Sequence, residues 1–172
     1  MTTKDLREDE FHPYYGLYIE QVDSTKSLLQ ALEEGLHQTL NFFNALPEEK
    51  HDYRYEKGKW NCKEVLQHII DTERIFIYRA FRISRGDRTP LAGFDQNDYV
   101  DPSGATQKSM TTLLAEYAIG RNYAISILQG LSDSDLAQMG EVDGKPISAR
   151  AAAFIIAGHE LWHSRIIQER YL

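Results

Sequence analysis

The sequence predicts an all-α fold, an antiparallel four-helix bundle with a long crossover loop between its second and third helices. Apolar residues recur at spacings of three and four in four separate segments, which is the pattern of amphipathic helices. Each segment is about 23 to 25 residues long, or roughly 35 Å at 1.5 Å per residue, so the four helices match in length. No alternating run of apolar and polar residues indicates a strand.

The first predicted helix runs from Val22 to Leu46 and ends before Pro47, which cannot continue a helix. Its buried stripe consists of Leu29, Leu32, Leu36, Leu40, Phe43 and Leu46. The residues that precede Val22 are too rich in tyrosine to form a disordered tail, so we expect them to pack across the bundle.

The second predicted helix has a clear start signal. Asn61 is placed to cap it, Glu64 lies at the third helical position, and Trp60 and Val65 are spaced as a hydrophobic staple. The helix extends to Gly86, with its stripe formed by Val65, Ile69, Thr72, Phe76, Ala80 and Ile83. A loop rich in Gly, Pro, Asp and Asn follows, from Gly86 to about Thr106, and loops of this length usually have a function.

The third predicted helix carries the stripe Met110, Leu113 or Leu114, Tyr117, Arg121, Ala124, Leu128 and Leu131. The residues from Ser132 to Asp135 suggest a single extra turn, and a connection from Gly140 to Pro146 contains a tight turn at Asp143-Gly144. Ser148 caps the last helix, whose inward stripe reads Ala152, Ile155, His159, His163 and Ile166.

Composition excludes several classes of function. The chain has 172 residues, of which 42% are hydrophobic, which suits a single domain over residues 1–172. A net charge of −7 argues against nucleic-acid binding, and no apolar run approaches the roughly 20 residues that span a bilayer. The chain has one cysteine, Cys62, and no leader-like sequence opens it, so we expect a cytoplasmic protein.

Three histidines are the candidate metal ligands. His159 and His163 lie four residues apart, so their imidazoles stand one above the other on the inward face of the last helix. His68 lies on the edge of the second helix's stripe, where it can face the same interior. Three imidazoles leave a coordination position open, as catalytic metal centres do. His12, His37 and His51 lack such placement and are interpreted as surface residues.

The segment from His159 to His163 also matches the His-Glu-x-x-His signature of metalloproteases, in which the glutamate is the general base. Proteolysis is disfavoured because only nine residues follow, too few for the downstream third ligand of many such proteases. Glu160 is therefore interpreted as a flanking residue that could support a ligand. Arg121, within an apolar stripe, is expected to form a buried ion pair with Asp71 or Glu73 rather than to anchor a substrate. Arg79 is open to the same two interpretations.

The sequence resembles the DinB superfamily of metal-binding four-helix proteins, and within it the YfiT-like branch, which includes thiol-dependent transferases. The resemblance covers residues 11–171 and rests on Lys59 to Arg74, Arg85 to Asp87, Phe94 to Asn97, and Ala157 to Glu160 together with His163. It implies that His68, His159 and His163 are the metal triad. A homodimer is also expected from the resemblance.

The ligand set and the resemblance together suggest three functions. Three neutral imidazoles leave a divalent ion with its full charge, so its open position favours hydroxide, carboxylate or thiolate. The first function is transfer of a low-molecular-weight thiol to a small electrophilic substrate, with zinc or nickel as the metal and manganese or iron as alternatives. Metal-dependent hydrolysis is the second, and a non-catalytic metal-binding stress or interaction protein is the third. No particular catalytic residue is predicted.

Overall fold

The computed structural model describes all 172 residues and contains eight α-helices and one two-stranded sheet. In chain order the helices are α1 (Gly16–Ile19), α2 (Leu28–Asn44), α3 (Glu48–His51), α4 (Cys62–Ser84), α5 (Asn97–Val100), α6 (Met110–Leu128), α7 (Asp133–Leu136) and α8 (Ala149–Arg170), and the strands are β1 (Met139–Val142) and β2 (Lys145–Ser148). The long helices α2, α4, α6 and α8 form a four-helix bundle, which confirms the predicted fold class. No helix meets the length and apolarity that crossing a membrane requires.

The direction of each bundle helix follows from an apolar cluster at one end. This cluster brings together the last residues of α2 and α8 and the first residues of α4 and α6; its members include Phe43, Leu46, Leu66, Leu113 and Ile167. Helices α2 and α8 therefore run toward this end, and α4 and α6 run away from it. Because α4 and α6 are parallel, the chain between them, residues 85–109, must cross the length of the bundle, as the crossover prediction requires.

Each bundle helix begins directly after a polar residue whose side chain caps it. Asn61 accepts from the Glu64 amide at 2.9 Å, and Glu64 accepts from the Asn61 amide at 2.8 Å, so the predicted capping box of α4 is present. The first long helix starts later than predicted, at Leu28 rather than Val22, because Ser27 and Gln30 form a second capping box there. The third long helix ends earlier than predicted: α6 ends at Leu128, so Leu131 of the predicted stripe lies beyond it.

The expectation that the chain has no strand was wrong. Strands β1 and β2 pair in an antiparallel hairpin whose two-residue turn is the predicted Asp143-Gly144, with φ of 51° and 72°. Positive φ at both positions gives the turn that matches strand twist, and Asp-Gly is a favoured sequence for it. Gly140 and Pro146 obscured the strand pattern. Gly140 is needed because a Cβ there would meet the Ile83 side chain, so the hairpin lies close against α4.

The first 27 residues pack on the bundle, as predicted. They form short 3₁₀ turns and α1, and the side chains of Tyr18 and Ile19 are buried against α8. A Cβ at Gly158 of α8 would overlap the carbonyl oxygen of Tyr18. The glycine therefore allows the backbone of α1 to lie directly on α8, one residue before His159.

Candidate metal centre

The structure brings the three predicted histidines together. His68 lies on α4, His159 and His163 lie on α8, and all three side chains are buried. Nε2 of His159 lies 3.0 Å from Nε2 of His68 and 3.1 Å from Nε2 of His163. One nitrogen from each ring falls within 4.8 Å of the other two. The three side chains thus point at a common centre.

Helix geometry and neighbouring side chains hold the rings in place. The i, i+4 spacing stacks His159 over His163, and packing of α4 against α8 supplies His68. The Thr72 hydroxyl, one turn after His68, lies 3.4 Å from Nδ1 of that ring, which leaves Nε2 to face the other histidines. Aromatic rings pack edge-on against the triad, with Tyr18 5.0 Å from His159 and Trp162 4.8 Å from His163 between centroids.

Burial keeps the triad uncharged. It lowers the pKa of His68 from 6.5 to about 4. The pKa values of His159 and His163 lie well below the usual value, first because of burial and then because of repulsion from the neighbouring imidazoles. No carboxylate belongs to the cluster. At neutral pH the three rings therefore offer neutral nitrogens, the form in which histidine binds a metal.

Hydrogen bonding within the triad cannot use all three converging nitrogens. A neutral imidazole nitrogen carries either one proton or one lone pair, so Nε2 of His159 cannot make good hydrogen bonds to both of its neighbours. Three nitrogens at 2.0 to 2.1 Å from a tetrahedral zinc ion lie roughly 3.3 Å apart, close to the spacing around His159. The donor set and its spacing therefore suit a divalent metal.

The triad adjoins a cavity of about 380 Å³. His159, Thr72 and Ile155 form its floor, and tyrosines of the N-terminal segment form one wall. The other wall comes from the crossover loop and consists of Phe94, Asp95, Gln96 and Asn97. The length of this loop predicted that it has a function. The loop has no apolar periodicity, however, so the sequence did not indicate that these residues would lie beside the histidines.

A second buried polar cluster joins α6 to other faces of α4 and α8. Arg121 is fully buried and binds two carboxylates, Glu73 at 2.8 Å and Glu160 at 2.7 Å. The Tyr117 hydroxyl also donates to Glu160. Burial disfavours the charge on Arg121, but the two carboxylates outweigh it and raise the pKa of Arg121 well above its usual value. Glu160 is therefore directed away from the triad.

The structure decides between the two partners expected for Arg121. Glu73 forms the ion pair, whereas Asp71 accepts from Gln67 and Arg74 on the helix surface, at 3.1 and 2.9 Å. The role of Glu160 as a second partner was missed, because sequence spacing alone could not show that the Arg121 side chain of α6 would reach α8 across the bundle interior. Arg121 therefore has an internal structural role, in agreement with the ion-pair interpretation.

The remaining histidines lie apart from the triad. His37 is exposed on α2. His12 and His51 are half-buried, and each has a local hydrogen-bonding role: His12 accepts from the Tyr14 amide at 3.3 Å, and Nε2 of His51 lies 3.2 Å from the carbonyl oxygen of Leu46.

The bundle and the histidine cluster define a helical protein with a candidate three-imidazole metal centre. Residues 31–167 match the family model of the DinB superfamily, so the chain belongs to this superfamily and the resemblance is confirmed. A search of curated proteins found no match.

Solved structures show the same fold. YfiT from Bacillus subtilis, described as a probable metal-dependent hydrolase with an unusual four-helix bundle topology, matches with a TM-score of 0.73 and 18% identity over 96% of this chain and 90% of YfiT. A mycothiol-dependent maleylpyruvate isomerase matches with a TM-score of 0.66 and 11% identity; the match covers 99% of this chain but 63% of the isomerase. The DinB-like protein YjoA from Bacillus subtilis matches with a TM-score of 0.59 and 14% identity, over 84% of this chain and 88% of YjoA.

Proposed function

We propose that His68, His159 and His163 hold a divalent metal ion and that the protein is an enzyme that transfers a low-molecular-weight thiol to a small electrophilic substrate. The convergence of three neutral Nε2 atoms beside a cavity carries this proposal. A bound divalent ion would supply an open position that favours an anionic ligand and lowers the pKa of a thiol. Zinc or nickel is proposed first, with manganese or iron as alternatives.

The chain's own residues would position the reactants. The aromatic rings around the triad exclude bulk water, which strengthens electrostatic interactions inside the site. Gln96 and Asn97 line the crossover wall and carry amide groups that can pair with the amides of a peptide-like or sugar-linked thiol. The electrophile would occupy the apolar part of the cavity, against Phe76 and Ile155.

Thiol transfer is placed before hydrolysis because no carboxylate belongs to the histidine cluster. Hydrolysis at metal sites commonly uses a nearby carboxylate to accept a proton from water. Glu160 is engaged by Arg121 and Tyr117, and Asp95, the one carboxylate that lines the cavity, lies on the crossover wall rather than in the histidine cluster. Similarity to the mycothiol-dependent isomerase supports the same choice.

Hydrolysis is the second candidate because YfiT, which has a similar fold, is described as a probable metal-dependent hydrolase. The third is a metal-binding protein without turnover, since a shared fold does not fix a reaction. We propose a cytoplasmic location, which would suit thiol transfer because low-molecular-weight thiols stay reduced there.

Two assays separate these functions. Thiol transfer predicts that glutathione, bacillithiol or mycothiol reacts with 1-chloro-2,4-dinitrobenzene faster in the presence of the metal-loaded protein. Cleavage of p-nitrophenyl acetate without thiol would support hydrolysis instead. Activity in neither assay, with metal bound, would favour the third candidate. His159→Ala should abolish turnover, whereas His37→Ala, which changes an exposed histidine of α2, should leave it unchanged.

A further inference from the structure

Arg79 of α4 is a buried cation without a carboxylate partner. Arg79 is only 3% exposed, and its Nη2 donates to the carbonyl oxygen of Ala92 at 2.9 Å. Nη1 is the one buried side-chain nitrogen or oxygen in the chain that has no hydrogen-bond partner. An unpartnered buried donor is costly, and a charged one more so. Arg79 therefore differs from Arg121, whose nitrogens meet two carboxylates.

The surroundings of Arg79 keep it charged but do not neutralise it. Burial lowers the pKa of Arg79, and the Tyr15 phenol and the Asp143 carboxylate act against this effect. Arginine remains protonated at neutral pH even so. Asp143 lies on the exposed hairpin turn and forms no ion pair with Arg79. Tyr99 of α5 lines another cavity together with Arg79.

Arg79 lines a cavity of about 360 Å³ that adjoins the cavity beside the triad. Tyr14, Tyr15 and Phe94 line both cavities, so the two are neighbouring parts of one cleft. The guanidinium carbon of Arg79 lies 4.8 Å from the ring centroid of Phe76, whose ring lines the cavity beside the triad.

One face of α4 connects the two cavities. His68, Thr72, Phe76 and Arg79 follow one another at spacings of four, four and three, which places them along a single stripe. The Cα atoms of His68 and Arg79 are about 16 Å apart along the helix axis, and the longer Arg79 side chain leans toward the end of the helix that carries His68. A molecule that extends along this face from the triad would therefore approach the guanidinium.

We propose that Arg79 binds a carboxylate of the substrate and so orients its other end toward the histidine triad. A planar guanidinium matches a carboxylate. Arg79 and Lys145 give the lining of this cavity two positive charges and Asp143 gives it one negative charge, so one further negative charge balances them. A phosphate dianion fits less well because it would bring one negative charge more than these side chains balance. The inference rests on the proposed function for the identity of the reacting end, but the carboxylate site itself does not need the metal.

The test compares a carboxylic acid with its neutral isostere. Binding of 3-phenylpropionate and of 3-phenylpropanamide is measured by isothermal titration calorimetry on the metal-loaded parent, on Arg79→Met and on Arg85→Met. Arg85 is an exposed arginine at the end of the same helix and is the matched control. Loss of a buried charged hydrogen bond predicts that the acid binds Arg79→Met about tenfold more weakly or worse. The amide should bind all three proteins alike.

Arg79→Lys provides a second variant that keeps the charge but loses the planar fork, and it should show a smaller, several-fold loss for the acid. Unchanged amide binding shows that the cavity of each variant is intact. Equal losses for the acid in Arg79→Met and Arg85→Met, or no preference for acid over amide in the parent, would overturn the proposal. Arg79-dependent binding of inorganic phosphate without such a preference would overturn the choice of carboxylate.

Repeating the titrations after dialysis against a chelator separates this site from the metal centre. The dependence on Arg79 should persist, because the guanidinium is held by α4 and by Ala92. Acid binding that disappears with the metal would assign the carboxylate to the triad and overturn the role of Arg79. Failure of the metal proposal would instead appear as a lack of bound metal, with the dependence on Arg79 unchanged.

Discussion

Helix α8 contributes neighbouring residues to two buried polar clusters that differ in how their groups are paired. Glu160 joins Arg121, Glu73 and Tyr117 in a network whose charges meet opposite charges. His159, one residue earlier, joins two other imidazoles that cannot all hydrogen-bond to one another. The first cluster is complete within the protein, and we propose that the second takes a partner from outside. This difference separates a structural polar core from a candidate site.

Loss of Arg121 should have the largest effect on stability. Arg121→Met leaves Glu73 and Glu160 buried without a cation, and breaking a buried ion pair in this way costs about 3 to 5 kcal/mol. Urea unfolding of the metal-free protein measures the change in free energy. The triple variant with Glu73→Gln and Glu160→Gln should recover most of the loss, because no unpaired charge remains. A loss of less than about 1 kcal/mol in Arg121→Met would show that the network is not the structural core described here.

The triad should make the metal-free protein sensitive to mild acid. The pKa of His68 is about 4 in the folded protein and 6.5 in the unfolded chain, so the unfolded chain binds protons more readily between these values. The stabilisation is present above pH 6.5, is lost as the pH falls toward 4, and amounts to roughly 3 kcal/mol for this ring. Unfolding free energies measured from pH 7 to 4 should fall more steeply in the parent than in His68→Gln. Parallel curves would contradict the buried, neutral state of His68.

The docking of α1 on α8 should depend on Gly158. In Gly158→Ala the added methyl group overlaps the Tyr18 carbonyl, so α1 must move away, at a cost of about 1 to 3 kcal/mol. Tyr18 would then leave His159 more open, and limited proteolysis should cut residues 1–27 sooner. Gly120→Ala, a change at a helix glycine with open space around it, is the control and should not destabilise the protein. Equal protease sensitivity of the two variants would contradict the close packing of α1 on α8 at Gly158.

Arg79→Met should have the smallest effect, and of the opposite sign. It removes a buried charge whose Nη1 has no partner, at the loss of the hydrogen bond from Nη2 to the Ala92 carbonyl, so the folded state should gain no more than about 1 kcal/mol. Thermal unfolding of Arg79→Met and Arg85→Met, compared with the parent, provides the measurement. Destabilisation by Arg79→Met alone would place Arg79 with Arg121 as a structural residue.

Local signals in the sequence predicted much of the fold. The capping box at Asn61, the break at Pro47 and the turn at Asp143-Gly144 all act over a few residues, and the structure contains each of them. The start of α2 was predicted six residues early because the capping box formed by Ser27 and Gln30 was not recognised in the sequence. The hairpin was missed because Gly140 and Pro146 break the strand pattern, and only contact with Ile83 explains why a glycine lies there.

The candidate site was predictable only in part. The spacing of His159 and His163 is a local property of one helix, and the stripe of the second helix directed His68 toward the same interior. The walls of the cleft come from the N-terminal segment and the crossover loop, whose positions depend on tertiary packing. The sequence also indicated that Arg79 and Arg121 are unusual, because each is a charged residue on the inward side of a helix. Their different roles depend on tertiary packing: Arg121 meets carboxylates of α4 and α8, whereas Arg79 meets the crossover loop at Ala92.

The metal content of the protein purified without a metal-affinity tag tests the central claim most directly. Elemental analysis should find about one divalent ion per chain in the parent and in His37→Ala, and almost none in His159→Ala, since a site that loses one of three ligands binds far more weakly. Equal metal content in the parent and in His159→Ala would contradict the assignment of the three histidines as a metal centre.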